Sequence, residues 1–105
     1  MKGSTEYQIF IGCNDPHLNE EIVSERQLRE MVSSFFERNE VDFSMLSVQG
    51  GYLHDDGRFV IEDSLCINII GDSDLDIIRL GRSLAMFMGQ ETVLITRNAL
   101  LVDFR

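Results

Sequence analysis

One order of patterns runs through this chain: an alternating strand, a capped amphipathic helix, two strands about an Asp-Asp-Gly turn, a second amphipathic helix and a last alternating stretch. That β-α-β-β-α-β order is the split βαβ arrangement, and right-handed crossovers put both of its helices on one face of an antiparallel sheet. The expected fold is therefore an α+β, ferredoxin-like sandwich over residues 1–105 as one domain, with the last stretch either one strand or a hairpin turning at Arg97-Asn98.

Each element carries its own signals. Glu6 to Gly12 sets Tyr7, Ile9 and Ile11 on one face and Gln8 and Phe10 on the other, the period of a strand. Cys13-Asn14-Asp15-Pro16 ends it, because proline removes a ladder donor and Asn and Asp favour turns. Ser24 and Gln27 have the spacing of a capping box, and Val23 with Leu28 that of a hydrophobic staple. Leu28, Met31, Val32, Phe35 and Phe36 then follow at helical spacing, with Asn39 as the end.

Val41 to Tyr52 reads as a strand whose apolar parity switches between Met45 and Leu46, which suggests a bulge. His54-Asp55-Asp56-Gly57 reads as a hairpin turn with Gly57 at positive φ. The returning strand holds Phe59, Ile61, Leu65, Ile67 and Ile69 on one parity. Ser73 is the expected cap of the second helix, whose buried stripe is Ile77, Gly81, Leu84 and Met88 with Ile78 and Ala85 beside it, ending at Gly89. Gly81 costs helix stability, so its place in that stripe implies close helix–sheet approach.

Eighteen acidic against nine basic residues leave a formal charge of −9, a field that repels phosphate backbones and argues against direct nucleic-acid binding. The apolar runs are only a few residues long, far below the roughly 20 that span a bilayer. The start Met-Lys-Gly-Ser-Thr-Glu has no signal-peptide core, so no membrane partner is expected and the expected location is cytoplasmic. Cys13 and Cys66 have neither CxxC nor Cys/His ligand spacing and read as reduced, packed thiols.

The chemistry-bearing residues resolve into structural roles more readily than into a site. Asp72, Asp74 and Asp76 resemble the opening of a calcium loop, but the glycine and distal glutamate such a loop needs are missing, and helix capping accounts for the carboxylates. His54-Asp55-Asp56 is ordinary turn chemistry. Cys13 and His17 lie across a proline turn that fixes no nucleophile–base geometry. No cofactor motif and no metal spacing is present in the sequence. Tyr7, Tyr52 and His54 are the one group that neighbouring strands can gather into an aromatic and imidazole cluster on a sheet face.

The strand Tyr7-Gln8-Ile9-Phe10-Ile11-Gly12, the turn Asp56-Gly57-Arg58, the Glu62-Asp63-Ser64 step and the segment Gln90-Glu91-Thr92-Val93-Leu94 together resemble a family of small bacterial proteins of unknown function. There a Tyr-x-x-[Tyr/Phe]-x-Gly opening, an Asp-Gly-Arg turn and a Gln-Glu-[Ser/Thr]-Val-Leu segment recur in the same order. The family has no settled activity, so the resemblance assigns no catalytic residue.

Two functions follow as expectations. The first is a noncatalytic acidic interaction module that self-associates or docks on a basic protein partner, an inhibitor of a nucleic-acid-binding protein being a special case. Its motive is an uncovered sheet face with Phe10, Val60 and Ile70 as the interaction residues and a homodimer as the expected assembly. The alternative is a small-substrate enzyme, a dimeric α+β barrel using Tyr52 or His54 for proton transfer. The balance of residues leans away from an enzyme.

Overall fold

The computed structural model describes residues 2–12, 24–71, 75–89 and 93–103. Its elements are β1 (Lys2–Gly12), α1 (Glu25–Arg38), β2 (Ser44–Leu53), β3 (Phe59–Gly71), α2 (Ile77–Met88) and β4 (Leu94–Val102). The strands form one antiparallel sheet in the order β2-β3-β1-β4. This is the expected α+β sandwich, with the last stretch as a single strand rather than a hairpin.

The core lies between the sheet and the two helices. Tyr7, Ile9 and Ile11 of β1 and Leu65, Ile67 and Ile69 of β3 pack beneath Leu28, Val32 and Phe36 of α1 and Leu84 of α2. Burying one such side chain is worth about 1.5–3 kcal/mol, so this two-layer contact holds the fold without staples. Phe35 links the helices, its ring 5.3 Å from Phe36 and 5.7 Å from Phe87.

The starts and stops have local causes. Ser24 accepts from the Gln27 backbone N–H while the Gln27 side chain accepts from the Ser24 N–H, which completes the capping box. Asn39 closes α1. Its first turn is tied to the sheet through Ser47, which bridges Glu25 and Arg29, themselves 3.2 Å apart. In α2 the cap is Asp76, whose carboxylate accepts from the Arg79 N–H at 3.0 Å; the expected Ser73 cap lies outside the described residues, as do Asp72 and Asp74. Gly89 ends α2 at φ 68. A Cβ on Gly81 would sit 2.5 Å from Cδ1 of Ile95, so this glycine lets α2 settle directly on β4.

Three expectations are corrected. No bulge interrupts β2: the pairing from Ser44↔Asn68 to Leu53↔Phe59 is unbroken, and Leu46 and Val48 simply occupy the face away from the helices. Phe59 and Ile61 keep the parity of Leu65 but are exposed, because the β2–β3 hairpin runs past the reach of the helices. In α2 it is Leu80, not Ile78, that joins the buried stripe. No helix among the described residues is long and apolar enough to cross a membrane.

Candidate functional site

The hairpin is the best-defined feature at one end of the sheet. The His54 N–H donates to the Arg58 carbonyl at 2.7 Å and the Gly57 N–H to the His54 carbonyl at 2.9 Å, with Gly57 at φ 88. Asp56 fastens this turn: its carboxylate accepts the Arg58 backbone N–H at 3.0 Å and the Arg58 Nε at 2.6 Å. These two donors, the backbone one first, hold its carboxyl below the usual carboxylate range. The His54 Nδ1 lies 3.8 Å from the same carboxylate.

Alternation along the strands assigns the open face of the sheet, the one away from the helices. Near the hairpin it carries Tyr52 opposite Val60, Gly50 opposite Glu62, and Val48 opposite Ser64, which in turn pairs with Gly12 of β1. Glu62 is half-buried and its carboxylate lies over Gly12: a Cβ there would overlap Oε1. Gly50 leaves the other side of Glu62 without a cross-strand side chain. The result is one carboxylate with a glycine on each side, and Tyr52 lies toward the hairpin on the same face. A carboxylate on this face offers a negative charge to a cation.

Farther along the same face two rows cross the whole sheet. Leu46, Cys66, Phe10 and Leu94 form an apolar row, and Ser44, Asn68, Gln8 and Thr96 the polar row next to it. Thr96 Oγ1 donates to Gln8 Oε1 at 3.2 Å, and Gln8 Nε2 donates to Asn68 Oδ1 at 3.0 Å. Burial pushes the Cys66 thiol up from its ordinary pKa, which keeps it protonated and a weak nucleophile.

The residues singled out from sequence are distributed unevenly over this geometry. Tyr52 and His54 are neighbours, with ring centroids 6.1 Å apart, and both stand at the hairpin end. Tyr7 does not join them: it is fully buried on the helix side, with the Arg97 guanidinium 5.2 Å from its ring. Phe10 and Arg97 lie on opposite faces of the sheet. Of the three expected interaction residues, Ile70 is exposed and Phe10 half-buried, whereas Val60 is buried beside its cross-strand neighbour Tyr52 and presents no free surface. Cys13 and His17 lie outside the described residues. Glu62 entered the sequence reading only as part of the Glu62-Asp63-Ser64 step and not as a site residue, because the glycines that flank it come from two other strands.

At the start of β2, away from the hairpin, an open groove is lined by Glu37, Glu40, Val41, Asp42 and Phe43. Its carboxylates do not converge, and among the described residues no three His, Cys, Asp or Glu side chains are grouped to hold a metal ion.

No family model and no curated protein matches the chain. Among solved structures, the fold is similar to that of a phage SAM lyase in complex with S-methyl-5′-thioadenosine, with a TM-score of 0.66 and 22% sequence identity over 90% of this chain and 80% of that one. The match corrects the expectation of a noncatalytic acidic module. That expectation took an open sheet face without an evident acid, base or nucleophile set as the mark of an inert domain, yet the same architecture serves an enzyme, and it is the enzyme alternative that the match favours.

Proposed function

We propose that this chain is an enzyme, a lyase that cleaves a carbon–sulfur bond in a small adenosyl sulfonium such as S-adenosylmethionine and releases S-methyl-5′-thioadenosine. The observation that carries this reading is the fold shared with the phage SAM lyase along nine-tenths of the chain.

The chemistry of a sulfonium suits a carboxylate and an aromatic residue on one sheet face. When the bond from sulfur to the amino-acid side chain breaks, its electron pair returns to sulfur and neutralises the positive charge, so the thioether leaves without a donated proton. The step balances without a second reactant when the substrate's own carboxylate oxygen forms the new bond at carbon and closes a lactone. A protein promotes such a step by binding the cation in an orientation that brings the carboxylate behind the carbon, with little acid–base work of its own. Glu62 supplies a negative charge for the cationic end of the substrate, and Tyr52 is the aromatic residue nearest to it along the same face. Tyr52 and His54 as proton-transfer groups are not needed for this step. The formal charge of −9 draws a cationic substrate toward the chain from a distance and falls in effect as salt rises.

The test is incubation of the purified protein with S-adenosylmethionine followed by chromatography and mass analysis. Accumulation of S-methyl-5′-thioadenosine, lost in Glu62→Gln, is the expected result. Unchanged substrate would overturn the reading.

A further inference from the structure

We infer that the open face of the sheet is the surface on which copies of this chain associate. The face is made for burial. Leu46 and Leu94, at the two ends of the apolar row, are 59% and 62% exposed, and Ile70 on the same face is 53% exposed. Between them Phe10 is half-buried and Cys66 already covered. Four strands at a spacing of about 4.8 Å and roughly ten residues at about 3.3 Å each give a face of roughly 600 Å², close to the roughly 800 Å² per partner of a standard interface.

Charge identifies the occupant. The chain has 27 charged residues by its 18 acidic and nine basic side chains, yet among the described side chains of this face only Glu6 and Glu62 are charged, and they stand on either side of the apolar row. A basic protein would be drawn to the acidic surfaces elsewhere and would gain little here. A second copy brings the same uncharged apolar row to this face, so the carboxylates of Glu6 and Glu62 flank the contact rather than sit within it. The amide row supports the same occupant, because Gln8 and Asn68 present both donors and acceptors and two identical rows can satisfy each other. Glu62 borders this apolar row, so a docked copy stands beside its carboxylate.

Sedimentation equilibrium of the full chain at micromolar concentration measures this without reference to any activity. The wild type sediments as a homo-oligomer, and the Leu46→Asp/Leu94→Asp variant sediments as a monomer. Both positions are solvent-exposed in the single chain, so the variant keeps the wild-type circular dichroism spectrum. Ile78→Asp, equally exposed but on α2, leaves the oligomer intact. A wild-type monomer overturns the inference. An oligomer that survives the double substitution overturns it too, since association would then use another surface.

Discussion

Gly12 lies directly beneath the Glu62 carboxylate, so that any Cβ on Gly12 would overlap Oε1. This relation joins the end of β1 to the first part of β3 and places the Glu62 carboxylate over Gly12. Gly12→Ala should displace the end of a flexible side chain rather than the backbone. Its effect on stability is expected to stay within about 1 kcal/mol, because alanine regains part of the strand entropy that glycine costs. Lyase activity is expected to fall by tenfold or more. Denaturant melts and product assays on the same preparation separate the two effects, and adding Gly12→Ala to Glu62→Gln should cause little further loss.

Ser24→Ala removes the hydroxyl that accepts the Gln27 N–H and breaks the capping box of α1. A loss of about 1 kcal/mol in unfolding free energy is expected. An unchanged urea midpoint would mean that the cap is energetically silent.

At the hairpin, Gly57 holds φ 88 with open space where a Cβ would go, so conformation rather than crowding decides what the position tolerates. Gly57→Val should destabilise more than Gly57→Asn, because β-branched residues resist positive φ and asparagine accepts it. Thermal melts of the two variants give the ranking.

The Asp56 carboxyl is held below its ordinary pKa by the Arg58 backbone N–H and then by the Arg58 side chain. A depressed carboxyl contributes stability that is present above its unfolded value, about 3.9, and that is lost as pH falls through the folded value. NMR titration of the side-chain carboxyl should therefore give a midpoint below the ordinary one. Arg58→Ala should raise that midpoint only part of the way, since the backbone donor remains.

The parts of the fold written in single segments were legible in the sequence. Ser24 with Gln27, Gly57 in its turn and Gly81 in the apolar stripe of α2 each occupy the place that their local chemistry implies. The failures occur where a residue's role depends on another strand. Leu46 and Val48 imitate a bulge because β2 is apolar on both faces, and only the register with β3 distinguishes the two arrangements. Phe59 and Ile61 repeat the core pattern beyond the point where a helix covers it. Glu62 looks like an ordinary solvent-facing strand residue until Gly12 and Gly50 are brought to its sides, and those two glycines lie 38 residues apart in sequence by their numbers.

Turnover is the direct measure of catalysis by this chain. Purified wild-type protein and Glu62→Gln are incubated with an excess of S-adenosylmethionine at low salt, and S-methyl-5′-thioadenosine is quantified per chain against time. Many equivalents of product per wild-type chain are expected, with at least a tenfold lower rate, about 1.4 kcal/mol, for Glu62→Gln at unchanged thermal stability. Product no faster than in protein-free buffer, or equal rates for the two proteins, would contradict the account.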